Sequence, residues 1–108
     1  MPATLAESML EWVADGRPLA SWCNRVGRVS VRAVHYWLDK DAELARRYDI
    51  AREVGFDSLC ELALMAAKAP VRTSVDLAAA KLRVRTILKL LDRWYPKGRP
   101  RQRGPCRI

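Results

Sequence analysis

The sequence predicts an all-α protein, and three observations carry that prediction. Apolar residues recur every three or four positions through most of the chain. Gly and Pro punctuate the boundaries of these periodic stretches. No segment alternates convincingly as a strand, because Val29-Ser30-Val31 is better explained as a turn followed by a helix cap. With 108 residues, half of them apolar, the chain suffices for one small domain and is too apolar to be disordered throughout.

The first predicted helix opens at Thr4, where Thr4-Leu5-Ala6-Glu7 fits a capping box, and closes at Asp15-Gly16. Leu5, Met9, Trp12 and Val13 form its apolar face. The second begins near Pro18, a favoured first-turn residue, and ends before Gly27. The third starts after Ser30, a good N-cap, and runs to about Lys40 with Val34, Trp37 and Leu38 facing inward. A long fourth helix spans Asp41 to Ala69 and is stopped by Pro70. After Val71-Arg72-Thr73, Ser74 caps a fifth helix that ends at Trp94 or Tyr95. The remainder holds Pro96, Gly98, Pro100, Gly104 and Pro105 among basic residues, which reads as a disordered basic tail over residues 96–108.

The second and third helices, joined by Val26-Gly27-Arg28-Val29, have the form of a helix-turn-helix. Gly27 suits the turn because it tolerates positive φ. Trp22, Val26, Val34, Trp37 and Leu38 would close a small core against the first helix, giving a DNA-binding unit over residues 1–40. The opposite face of the third helix then shows Val31, Arg32, His35, Tyr36 and Asp39. Arg32 is the residue suited to bidentate contact with guanine, and Val31 to a thymine methyl. His35 and Tyr36 can bond bases or phosphates, while Arg25, Arg28 and Lys40 suit phosphate positioning.

Charge supports this division. The formal net charge is +8, yet residues 1–16 carry Glu7, Glu11 and Asp15 with no base. The excess lies in residues 17–40 and in residues 93–108, where Arg99, Arg101 and Arg103 sit in a run without acids. Two basic clusters around a balanced middle point to a polyanionic partner, most simply double-stranded DNA. Lys81, Arg83, Arg85 and Lys89 are most simply a solvated helix face.

The hairpin over residues 41–95 is more apolar than two helices can bury between themselves. Leu44, Tyr48, Ala51, Gly55, Leu59, Leu62 and Ala66 form one stripe, and Leu77, Val84, Ile87, Leu88, Leu91 and Trp94 form its counterpart. Ile50, Val54, Phe56, Leu64, Met65, Leu82 and Leu90 are left over, and they are the candidate surface for homo-oligomerisation.

Enzymatic chemistry finds no foothold: there is no P-loop, no Gly-x-Ser-x-Gly and no metal-ligand spacing, so neither cofactor nor metal is expected. Cys23, Cys60 and Cys106 share no Cys-x-x-Cys spacing, and His35 is the single histidine. No apolar run exceeds Leu62 to Ala67, and the acidic start is unlike a signal peptide. The expected setting is a reducing cytoplasm without membrane contact. On these grounds alone, a small helix-turn-helix transcriptional regulator acting as a dimer is the alternative function.

The order of motifs adds a resemblance. A helix-turn-helix ending in Val34-His35-Tyr36-Trp37-Leu38 precedes a long helix with Leu44-Ala45-Arg46-Arg47-Tyr48 and Ala51-Arg52-Glu53. A proline-broken turn follows, then Ala80-Lys81-Leu82-Arg83-Val84-Arg85-Thr86 and Trp94-Tyr95-Pro96-Lys97. Over about residues 17–98 this resembles the small terminase subunits of tailed bacteriophages. The resemblance implies a ring-like, non-enzymatic homo-oligomer acting in the host cell cytoplasm. Such a protein recognises the viral packaging site and delivers DNA to the large terminase subunit, which holds the ATPase and nuclease. The recognition helix departs from relatives at Tyr36, where a basic residue is common.

Overall fold

The computed structural model describes residues 1–100. Its elements are α1 (Ala3–Ala14), α2 (Leu19–Trp22), α3 (Val31–Lys40), α4 (Ala42–Lys68) and α5 (Ser74–Trp94). A π-helical turn (Cys23–Gly27) continues α2 directly. No strand occurs among the described residues, so the all-α class and the order of a helix-turn-helix followed by a long hairpin hold.

The expected Ser30 cap forms, and Asp41, read as the first residue of the fourth helix, is instead its cap. Ser30 Oγ accepts from the Ala33 N–H at 3.0 Å, and Asp41 Oδ1 accepts from the Leu44 N–H at 3.1 Å. Two other helix starts differ. Helix α1 starts behind Pro2, so Thr4 lies inside it and no side chain caps that end. Helix α5 is capped by Thr73 rather than Ser74, with Thr73 Oγ1 accepting from the Asp76 N–H at 3.1 Å. The carboxylate three residues on explains the choice. Asp76 accepts from the Arg72 N–H at 3.3 Å, so Thr73 and Asp76 brace the turn together, whereas Ser74 is followed at that distance by Leu77.

Two cores are stacked along α4. The first joins α1, α2 and α3 to the N-terminal half of α4, with Met9, Trp22, Val34 and Leu38 buried beside Leu44, Tyr48 and Ala51. Packing is therefore continuous across residues 40 and 41. The second core holds Leu59, Leu91 and Tyr95, with Phe56, Ile87 and Trp94 packed against it. Beyond Leu59 the hairpin opens: Leu62, Leu77 and Leu88, expected in its seam, are about half exposed. In that outer half of α5 the buried residue is the small Ala80. Larger side chains on either side of it flank the contact instead of filling it.

The cores meet at two glycines. Gly16 ends α1 with φ 86°, a left-handed conformation suited to glycine, and its backbone lies directly on α4. A Cβ on Gly55 would collide with the Val13 carbonyl oxygen and come within 3.0 Å of the Tyr95 hydroxyl and 3.1 Å of Gly16 Cα. A mid-helix glycine costs about 1 kcal/mol relative to alanine, and this close approach is what Gly55 provides in return. Gly55→Ala is accordingly expected to lower stability by about 1–3 kcal/mol in denaturant unfolding, despite the better helix propensity of alanine. A neutral or stabilising effect would show that the two backbones do not touch.

Candidate nucleic-acid interface

The helix-turn-helix is built around Trp22. Its side chain is fully buried, and its indole N–H donates to Ser8 Oγ at 3.0 Å, which satisfies the one polar atom taken into the core. Gly27 lies flat on this ring: a Cβ there would sit 2.5 Å from the indole. The expected reason for Gly27 is thus corrected, since its role is close packing and not positive φ. The left-handed residue is Arg28, with φ 53°. Val26 is corrected as well, being 47% exposed instead of part of the core. The wider pairing of a π turn shifts side chains away from the angular positions of an α-helix, and Val26 lies in that turn.

Arg25, Arg28, Arg32, His35, Tyr36 and Lys40 are all exposed, and Val31 is partly so. Arg32, His35, Tyr36 and Lys40 lie on α3 outside its buried face of Val34 and Leu38. Lys40 Nζ lies 5.5 Å above the Tyr36 ring. Arg25, Arg28 and Arg32 pair with no carboxylate among the described residues. Two arginines on α4 behave differently: Arg46 reaches Glu43 and Arg47 reaches Glu7, each at 2.6 Å. Arg17, which sequence reasoning leaves out of the surface, stacks 4.5 Å above the Trp12 ring.

Arg99 belongs with the paired group. Its guanidinium reaches Asp57 at 2.8 Å and Glu53 at 2.7 Å, and it holds the Asp57 carboxyl below the usual carboxylate range. Arg52 donates to the Trp94 carbonyl at 3.3 Å and lies over the buried Tyr95 ring, which meets Phe56 edge-on at 5.2 Å. The start of the expected flexible tail is therefore strapped along α4, and Arg99 is occupied by carboxylates rather than presented to a phosphate. Arg101 and Arg103 lie outside the described residues.

Of the candidate oligomer-forming residues, Val54, Leu64, Met65 and Leu82 are exposed, the last two by more than 60%. Ile50 and Leu90 are half-buried, and Phe56 already has Tyr95 as a partner. Two apolar grooves of about 530 and 570 Å³ run along the outer hairpin. Leu77, Val84 and Leu88 line one; Leu62, Met65 and Leu82 line the other. Among the described residues no group of three His, Cys, Asp or Glu could hold a metal ion. No described helix is long and apolar enough to cross a membrane.

Arg28 supplies a test of what the turn is built for. A left-handed non-glycine residue costs about 1–2 kcal/mol, of which glycine would return part after its own larger unfolded-state entropy. Arg28→Gly is expected to stabilise the fold by about 0.5–1 kcal/mol in thermal or denaturant unfolding, so fold stability is not what retains arginine there. Destabilisation would assign the Arg28 side chain a structural role.

The family model described as "Bacteriophage Sf6, terminase small subunit-like" matches residues 1–99. No curated protein matches. Among solved structures, three crystal structures of single-substitution variants of the terminase small subunit gp1 of the bacterial virus Sf6 share the fold. Each has a TM-score of 0.59 and 24% identity, covering 100% of this chain and 83% of the other. With the family model spanning nearly its whole length and the helical order agreeing, the chain belongs to the Sf6 terminase small subunit-like family of bacteriophage proteins.

Proposed function

We propose that this protein is a ring-forming packaging subunit that reads the viral packaging site on double-stranded DNA through α3 and passes that DNA to the large terminase subunit. In this reading it regulates the ATPase and nuclease of the large subunit, catalyses nothing itself, needs no cofactor and acts in the host cell cytoplasm. The observation that carries the proposal is the exposed set of Arg25, Arg28 and Arg32, none of which makes an ion pair among the described residues, while Arg46 and Arg47 on α4 are paired. A cation left without an intramolecular acid keeps its full charge for phosphate, and family membership supplies the context in which DNA is the partner.

The division of labour on the DNA follows from position. Arg32, in the first turn of α3, reaches base edges, with Val31, His35 and Tyr36 beside it; Arg25, Arg28 and Lys40 bind the backbone. Oligomerisation is assigned to the outer hairpin, where Leu64, Met65 and Leu82 leave apolar surface that the monomer does not cover. Ile50 and Val54, in a groove beside Leu10 and Ala14 of α1, and Leu90 on α5 are the further residues assigned to subunit contact. Several subunits engaging one DNA multiply a modest affinity per site, so assembly and binding are linked.

Two measurements check this. In fluorescence anisotropy against a panel of duplexes, Arg28→Ala is expected to weaken all sequences alike. Arg32→Ala should remove about 1–3 kcal/mol of discrimination at one base pair. An Arg32→Ala protein with unchanged affinity and preference would refute the recognition-helix assignment. In native mass spectrometry the wild type is expected as an assembly larger than a dimer, and the double variant Met65→Glu, Leu82→Glu as smaller species. A stable wild-type dimer protecting one short palindrome would instead favour a transcriptional regulator.

A further inference from the structure

We propose that Arg17 is a phosphodiester contact fixed in advance by α1, standing at the start of the first helix of the helix-turn-helix. The inference rests on the DNA-binding reading above. Arg17 is the residue between the left-handed Gly16 and Pro18, which caps α2. Its guanidinium lies 4.5 Å above the ring of Trp12, and that ring is itself immobilised. The Trp12 indole N–H donates to the Pro18 carbonyl at 3.0 Å, and Trp12 packs against the core of the head, residues 1–40. The Arg17 backbone N–H donates to the Trp12 carbonyl at 3.3 Å, which closes the turn under the stack.

Two features separate this arginine from a surface cation with a purely structural task. The guanidinium carbon sits over the indole while Arg17 stays exposed, so N–H donors remain accessible to a phosphate oxygen. In addition, Glu11 and Asp15 are close in sequence, yet no ion pair joins either to Arg17 among the described residues. Position supplies the rest of the argument. In a helix-turn-helix the first helix crosses the DNA backbone while the second enters the major groove. A cation held at the start of that first helix meets phosphate and not base edges. Because the indole holds the side chain, little rotamer freedom is lost when phosphate binds. Arg17 thus contributes affinity without sequence preference, beside Arg28 at the other end of the same helical segment.

Duplex binding by the full-length protein, measured over a salt series for wild type, Arg17→Ala, Arg17→Lys and Arg28→Ala, tests the assignment. Loss of one phosphate contact lowers the slope of log K against log salt by about 0.9 per engaged subunit, a readout that a change in stability alone does not move. Arg17→Ala is expected to show that loss equally on cognate and unrelated duplexes. Arg17→Lys should keep the slope while binding more weakly, because it keeps the charge and loses the planar stack. A wild-type slope for Arg17→Ala, with Arg28→Ala reduced, would overturn this inference and leave the DNA-binding reading intact. Failure of the wild type to bind any duplex at low salt would overturn both.

Discussion

The contact between Gly16 and Gly55 is the constraint on which the remaining geometry depends. Helix α1 ends there, α4 passes beneath it, and the Tyr95 hydroxyl arrives from the end of α5. Any side chain at residue 55 would force these three segments apart. One core lies on each side of the contact, so the glycines fix the attitude of the head on the hairpin. Glu7 and Arg47 add an ion pair across the same junction, but an exposed pair contributes little beside backbone-to-backbone packing. A head packed against its hairpin through these backbones presents α3 in a defined direction, as the proposed sharing of one DNA by several copies requires.

Charge is arranged around that frame in two ways. On α4 and the strap after Tyr95, three arginines meet acids: Arg46 with Glu43, Arg47 with Glu7, Arg99 with Glu53 and Asp57. On the head, Arg17, Arg25, Arg28 and Arg32 do not, and the two that are visibly pre-set achieve it differently, Arg17 by stacking and Arg28 by a left-handed backbone. The net charge of the chain is therefore a poor guide to its binding surface. Exposed bases without an acid partner among the described residues also lie on α5, so it is position on the head beside α3, together with the lack of an internal partner, that singles out these four.

Much of this was legible in the sequence. Helix order, the Ser30 cap, the break at Pro70 and the exposed face of α3 all follow from local patterns that tertiary packing did not override. The misses share a physical cause, because each depends on a neighbour remote in sequence or on geometry outside the α-helical period. Gly27 answers to the Trp22 ring, Val26 to a π turn, and Arg99 to carboxylates more than forty residues away, as its separation of 42 from Asp57 shows. Thr73 was within reach, since Asp76 three residues on marks it as the better cap. Arg17 was hidden because a stack on an aromatic five positions earlier, across the end of a helix, leaves no periodic signature.

In the proposed function, DNA is gripped by the head while the outer hairpin is kept for other copies of the chain. Helix α5 also carries exposed bases, Lys81, Arg85 and Lys89, and offers the sharpest contrast to the head. Hydrogen exchange of the assembled protein with and without saturating duplex separates the two surfaces directly. The account predicts slowed exchange through residues 17–40 and none attributable to DNA between residues 80 and 93. Protection along α5, with the head unchanged, would contradict it.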